Sequence, residues 1–167
     1  MSRGPNVFSK EAFVSSVREH FGPFLRRLGY KEQDTLEDRN NFVEHRYIDH
    51  DQFVSVGIER RERRTYILVG RLSEGRIPLL RWRTPASPSD VNEVGLEKLI
   101  QVARRARQLS GPEPGQYESE GPASVDAALE SLAHAVEEYA RDLFAGDREA
   151  WSRAVQLLFQ RIESSDR

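Results

Sequence analysis

The stretch "GIERRERRTYILVG", residues 57–70, decides the fold. Two runs that are typical of strands, "FVSVGIE" (53–59) and "TYILVGRL" (65–72), flank the charged centre "ERRERR". This centre contains no Gly or Asn, which disfavours a two-residue primed turn. The sequence therefore predicts an antiparallel hairpin with a four-residue loop, 60–63.

A loop of this length determines the register of the two strands. It pairs Glu59 with Arg64 and places the valine and isoleucine side chains of the two strands opposite each other. It also sets Phe53 against Gly70 and Tyr66 against Gly57, so that an aromatic ring covers each glycine.

Strand alternation then divides the side chains between two faces of the sheet. The predicted core face contains Val43, His45, Tyr47, Val54, Val56, Ile58, Ile67, Val69, Leu80 and Trp82. The second face contains Glu44, Arg46, Phe53, Ser55, Gly57, Tyr66, Leu68, Arg81 and Arg83. Because the second face mixes aromatic, aliphatic and charged residues, it is the predicted partner-binding face.

The whole pattern predicts a single α+β domain over residues 1–167, with an N-terminal helix, a four-stranded antiparallel meander and three C-terminal helices packed against one sheet face. In the N-terminal helix, 9–29, Ser9 is the predicted N-cap, Pro23 should kink or divide the helix, and Gly29 should end it. The predicted sheet spans 41–83, with strands at 41–48, 53–59, 65–72 and 77–83. The polar stretch before it has room for a short first strand. The C-terminal helices are predicted at 90–110, capped by Asp90, at 124–145 and at 147–164, with a flexible loop at 111–122.

Composition narrows the class of protein. The chain of 167 residues is long enough for one core without staples, contains no cysteine, and has a formal net charge of −2. Residues 1–111 carry 20 basic and 15 acidic groups, whereas residues 112–167 carry 5 and 12, so the two parts can pair internally or attract partners of opposite sign. The sequence predicts a cytoplasmic protein with no membrane association, and a net negative charge disfavours a dedicated nucleic-acid binder.

No motif predicts catalysis or a cofactor. "HRYIDHD" (45–51) is the best candidate for a metal site, but adjacent residues of one turn rarely converge on an ion, and His45 belongs to the core face. We therefore predict no metal site, and we expect His45 to be buried, hydrogen-bonded and neutral near pH 7. No G-x-S-x-G motif or glycine-rich phosphate cradle is found in the sequence, so a non-enzymatic function is favoured.

Three segments carry a resemblance: "FLRRLGY", "FVSVGIE…YILVGRL" and "YARDLFAGDREAW". They look like a group of small uncharacterised proteins from high-GC bacteria. The order of helix, strand meander and helical tail also resembles immunity-type proteins of polymorphic toxin systems. The resemblance implies an α+β fold and a protein partner, but no catalytic residue.

The sequence-level hypothesis is a non-enzymatic protein-binding module for an acidic protein partner, and the resemblance adds an immunity-like role to it. Its candidate contact residues are Arg46, Phe53, Arg60, Arg61, Arg63, Arg64, Tyr66, Arg81 and Arg83. Nucleic acid stacked on the same face and a small-ligand or accessory function remain alternatives. A simpler interpretation is that the loop arginines only face solvent and protect the sheet from edge-to-edge association.

Overall fold

The computed structural model describes residues 9–38, 42–78, 93–96, 99–101, 104, 107–109, 113–118 and 121–165. For residues 158 and 161–165 it describes the backbone alone.

Two short helices form the N-terminal part, α1 (Lys10–His20) and α2 (Gly22–Arg27). The Ser9 side chain caps α1 by accepting a hydrogen bond of 3.1 Å from the Ala12 amide. Pro23 lies in the first turn of α2, so the prediction that it divides the helix is confirmed. Gly29 has a φ of +91°, as expected for a glycine that ends a helix.

The sheet has five antiparallel strands in the order β1-β2-β3-β4-β5. They are β1 (Lys31–Asp38), β2 (Phe42–Ile48), β3 (Gln52–Glu59), β4 (Arg64–Arg71) and β5 (Glu93–Gly95). The strand before the predicted sheet is therefore a full edge strand. The predicted strand 77–83 is not seen at residues 77 and 78, and residues 79–83 lie outside the described part of the chain.

Strand β5 corrects the predicted start of the helix at 90–110. Val94 pairs with Val69 on the outer edge of β4 and is 1% exposed. A helix from Asp90 would leave that edge of β4 unpaired at Leu68–Gly70, and backbone pairing outweighs the weak helical pattern of the two nearby valines. Residues 99–101 and Arg104 are helical, in agreement with the later part of the predicted helix, and Asp90 lies outside the described residues.

The predicted register of the hairpin is confirmed. Glu59 pairs with Arg64, and the aromatic residues oppose the glycines as expected, Phe53 with Gly70 and Tyr66 with Gly57. The loop 60–63 closes through Arg63, which has a φ of +50°. A non-glycine residue rarely adopts this conformation, so the surrounding structure must hold it there.

The C-terminal part contains α3 (Pro122–Tyr139), the short α4 (Arg141–Phe144) and α5 (Arg148–Ser165). The prediction of one continuous helix over 124–145 is wrong, because Ala140 separates α3 from α4. Helix α3 also starts earlier than predicted, with Pro122 after Gly121. The predicted Asp147 cap is confirmed, since its carboxylate accepts hydrogen bonds of 2.8 and 2.9 Å from the backbone amides of Glu149 and Ala150.

One core joins the sheet to the helices. Helices α1 and α3 pack against each other, and both contact the predicted core face of the sheet. The described residues predicted for that face are all buried, namely Val43, His45, Tyr47, Val54, Val56, Ile58, Ile67 and Val69.

The centre of the second face is buried as well. Phe53 is 1% exposed, Ser55 is fully buried and Glu44 is 4% exposed. The expectation of an open, mixed surface therefore fails at this centre, although the side chains lie on the predicted face.

Candidate functional site

The β3–β4 hairpin is held in place by residues 113–118, which fall within the predicted flexible loop. The Thr65 amide donates a hydrogen bond of 2.8 Å to the Gly115 carbonyl, and the Tyr117 amide donates one of 3.2 Å to the Arg63 carbonyl. The guanidinium of Arg63 in turn donates 2.9 Å to the carbonyl of Glu118. These bonds supply the external support that the strained Arg63 backbone requires.

Gly115 permits this close approach. Its φ is +88°, and a Cβ at this position would lie 2.7 Å from the Thr65 carbonyl oxygen. Because both the dihedral angle and the contact exclude a side chain, only glycine fits without a shift of the backbone.

Three of the five described contact arginines, Arg46, Arg63 and Arg64, have partners within the chain. Arg46 donates from one nitrogen to both carboxylate oxygens of Asp34, each at 2.9 Å. Arg64 lies 3.4 Å from the carboxylate of Glu113. The Arg64–Glu113 pair joins the basic body to the acidic C-terminal part, whereas Arg46 and Asp34 both belong to the basic body.

The hairpin tip, defined here as Arg60–Arg63, remains at the surface. Arg61 and Arg63 are exposed, whereas Arg60 is half-buried and its Nε atom has no hydrogen-bond partner. Arg81 and Arg83, predicted to extend this surface, lie outside the described residues.

The two aromatic residues of the predicted site are not open platforms. Phe53 is buried. The hydroxyl of Tyr66 donates a hydrogen bond of 2.8 Å to the Glu44 carboxylate, and the ring of Tyr66 lies against Gly57. The structure therefore does not join the nine predicted contact residues into one exposed patch.

A buried polar cluster surrounds His45. Its Nδ1 lies 2.8 Å from the Thr35 hydroxyl and its Nε2 lies 2.6 Å from Glu32. A neutral ring with its proton on Nε2 satisfies both bonds, because Thr35 can donate and the carboxylate accepts. Burial lowers the pKa of His45 more strongly than Glu32 raises it. The prediction of a buried, hydrogen-bonded His45 is confirmed, and the lowered pKa of the ring favours its neutral form.

Glu32 and Tyr47 complete this cluster. Burial by itself would raise the pKa of Glu32, but hydrogen bonds from Arg18 and His45 lower it overall. Since His45 is neutral, the permanent charge of Arg18 is the more important of the two. Burial raises the pKa of Tyr47 to about 12, and its hydroxyl has no hydrogen-bond partner. The imidazole is 2% exposed, so His45 is not presented to solvent as an acid or base, whereas the Glu32 side chain at the edge of the cluster is 36% exposed.

A second cluster joins α1 to α3. Asp126 accepts hydrogen bonds from Ser16 and, at 2.9 Å, from His20. The Ser16 bond comes first among the influences that lower the pKa of Asp126. Glu19, His20 and Asp126 form a group of three side chains whose possible metal-ligand atoms lie within 4.8 Å of one another. Sequence reasoning missed it, because Asp126 is 106 residues from His20 and only the tertiary fold brings them together.

An open groove of about 920 Å³ runs along α3 beside the hairpin. Small residues of α3 line one side, namely Ser124, Ala127, Ala128, Ser131 and Ala135. Glu113, Pro114, Gln116, Tyr117 and Glu118 also line the groove, and Glu138 and Tyr139 lie towards the C-terminal end of α3. We call this feature the α3 groove. Small residues recur beside the apolar face of α3, and this pattern in the sequence was a signal for the groove that the sequence hypothesis did not use.

Comparison with known protein families, curated proteins and solved structures finds no match to this chain. Among the described residues, no helix combines the length and the apolar character that crossing a bilayer requires.

Proposed function

We propose that the protein is a non-enzymatic protein-binding module that contacts an acidic partner protein through the hairpin tip. The observation that carries this proposal is the fixed, exposed tip itself. Arg63 is anchored by its hydrogen bonds with Tyr117 and Glu118. Arg61 is exposed and forms no ion pair with the described residues.

A fixed tip suits electrostatic recognition. A flexible loop loses conformational entropy when a partner orders it, whereas a loop already held by hydrogen bonds loses less. The tip carries a net positive charge, since three arginines outweigh the exposed Glu62, and a net charge accelerates encounter with a surface of the opposite sign. The two arginines least involved in internal bonds, Arg60 and Arg61, are the proposed contacts.

The alternative of nucleic-acid binding by base stacking loses its main support. Stacking requires an accessible aromatic face, and Phe53 is 1% exposed. Tyr66 lies against Gly57 and donates its hydroxyl hydrogen bond to Glu44. An immunity-type role remains part of the proposal, supported by the order of helices and strands, with a toxin-like protein as the acidic partner and the cytoplasm as the compartment.

Charge reversal at Arg61 tests this proposal. The wild-type protein is used as bait in a lysate of the source organism, and the captured protein is purified for binding kinetics at two salt concentrations. We expect Arg61→Glu to slow association several-fold, with stability changed by no more than about 0.5 kcal/mol, because Arg61 is solvent-exposed. Arg63 is unsuitable for this test, since it also anchors residues 117 and 118.

Arg141→Glu is the matched control. Arg141 is exposed and lies in α4. The Phe144 carbonyl of α4 accepts a 2.8 Å hydrogen bond from Tyr30, which precedes β1 at the end of the sheet opposite the tip. This variant should associate at the wild-type rate. Unchanged association of Arg61→Glu with the same partner would refute the tip as the contact. A captured nucleic acid, with affinity falling steeply as salt rises, would favour the alternative function.

A further inference from the structure

The α3 groove has the charge and shape of a site for a basic peptide. Three glutamates line it, Glu113, Glu118 and Glu138, and the arginine among its described lining residues is Arg104. Glu113 already pairs with Arg64, so Glu118 and Glu138 are the carboxylates that can face a ligand. The α3 side chains that line the groove are mainly alanine and serine, of which Ala127 and Ser131 are exposed and Ala128 and Ala135 are buried. Small side chains leave room for a ligand backbone to approach the helix closely.

The length of the groove sets the size of the occupant. The lining residues of α3 extend from Ser124 to Tyr139, which corresponds to roughly 22 Å at 1.5 Å per residue. An extended peptide covers this length with about six or seven residues. The amide of Glu118 donates a hydrogen bond of 3.2 Å to the hydroxyl of Ser124, the first lining residue of α3. Glu118 therefore lies at one end of the groove, and Glu138 lies at the other.

One end of the groove already holds a guanidinium from the protein itself. Arg107 lies 5.0 Å from the centre of the Tyr139 ring and 3.2 Å from the carboxylate of Glu138. An aromatic face combined with a carboxylate is a favourable environment for arginine. Both members of the Arg107–Glu138 pair are 56% exposed, so the pair is weak and an incoming arginine can replace Arg107.

The other end offers a carboxylate without such a partner. Among the described residues, the Glu118 side chain makes no ion pair, because Arg63 bonds to its carbonyl oxygen instead. His134 lines the groove between the two ends and is exposed. Glu118 and Glu138 would repel an acidic ligand, whereas a basic one gains attraction at both ends.

We propose that the α3 groove binds an extended basic segment of a partner protein, with one arginine or lysine near Glu118 and a second near Glu138. Small residues of the segment lie over the alanine and serine side chains of α3. This site is separate from the hairpin tip, and neither proposal requires the other.

Fluorescence anisotropy with the full-length protein tests the groove. The probe is a fluorescein-labelled octapeptide, GRASASRG, whose two arginines are spaced for the two ends, and the comparison peptide is GEASASEG. We expect saturable binding of the arginine peptide and no binding of the glutamate peptide under the same conditions. Equal binding of both peptides, or none of the arginine peptide up to millimolar protein, would overturn the proposal.

Three variants locate the binding. Ala127 is exposed within the groove, so Ala127→Trp should block the peptide while the unfolding midpoint stays near that of the wild type. A double variant, Glu118→Gln with Glu138→Gln, should weaken binding about fivefold, since two exposed charge pairs are lost. Glu130→Gln removes the same charge from an exposed position of α3 that does not line the groove, and it should bind as the wild type does.

Each outcome decides the matter. If Glu130→Gln weakens binding as much as the double variant, the attraction is a general effect of negative charge and the groove is not the site. If Ala127→Trp loses its fold, the double variant still tests the same surface. Loss of acidic-partner binding in Arg61→Glu is measured separately, so failure of the hairpin proposal and failure of the groove proposal are distinguishable.

Discussion

Gly57 and Tyr66 should be strongly coupled in stability. A Cβ added at Gly57 would lie 2.3 Å from Cζ and 2.6 Å from Cε2 of the Tyr66 ring. The backbone of Gly57 is not the obstacle, because the glycines with positive φ in the described part of the chain are Gly29, Gly75, Gly115 and Gly146. An alanine at this position is therefore excluded by the tyrosine ring alone.

The cost of Gly57→Ala follows from what Tyr66 must give up. The ring has to move, and its hydroxyl then loses the 2.8 Å hydrogen bond to Glu44, which is 4% exposed. Loss of a hydrogen bond to a buried carboxylate costs about 1–3 kcal/mol, and crowding a packed site costs about 1–3 kcal/mol. Alanine recovers about 0.5–1 kcal/mol of the entropy that glycine loses in a strand. We expect a net decrease of about 3 kcal/mol in the free energy of unfolding.

A double-mutant cycle measures this coupling by urea unfolding. In a Tyr66→Ala background, Gly57→Ala should change the free energy of unfolding by less than about 1 kcal/mol, since the clash is gone. Gly95→Ala is the matched control, because its Cβ would lie at an ordinary contact distance of 3.6 Å from Leu68. If Gly57→Ala costs the same in both backgrounds, or no more than Gly95→Ala, the argument that the ring covers this glycine is refuted.

Two further predictions concern buried polar groups. Tyr47→Phe should leave stability unchanged or raise it, because the hydroxyl removed has no hydrogen-bond partner, whereas Tyr30→Phe should cost about 1–3 kcal/mol, because its hydroxyl bonds to both Gln52 and Phe144. Equal urea midpoints for the two variants would contradict this. The pKa of His45 is lowered in the fold, so the unfolded chain binds its proton more tightly, and stability should fall as pH decreases below about 6.5. The lowered pKa values of Glu32 and Asp126 add stability that is complete above about pH 4.5 and is lost below it. Urea midpoints between pH 8 and about 2.5 check both, and His45→Gln should flatten the curve only in its upper part. An unchanged slope there would contradict the role of His45.

The register of the hairpin could be predicted because the relevant information is local. Residues 53 and 70 are close along the chain, the loop length limits the pairings, and a slip of one residue would reverse the two faces. The burial of His45 followed from the same alternation of side chains along β2. Helix ends at Ser9, Gly29 and Asp147 were also predictable, since capping depends on residues within one turn.

The candidate site could be predicted only in part. The exposed Arg61 was expected from its place in a charged loop, but the burial of Phe53 was not. Alternation shows which face a side chain occupies, and it does not show whether another part of the chain covers that face. The same limitation applies to Arg46 and Arg64, whose acidic partners Asp34 and Glu113 were visible in the sequence without any sign of the pairing.

The sequence by itself therefore determined the local elements of this protein: the α+β class, the β3–β4 hairpin with its register, and the helix ends at Ser9, Gly29 and Asp147. The tertiary structure alone decided the contacts that join distant segments. Strand β5 forms because the outer edge of β4 has backbone groups to satisfy, and Gly115 reaches Thr65 across 50 residues for the same reason. Such pairings depend on which edge is open after the rest of the chain has packed, and no local pattern of residues carries that information.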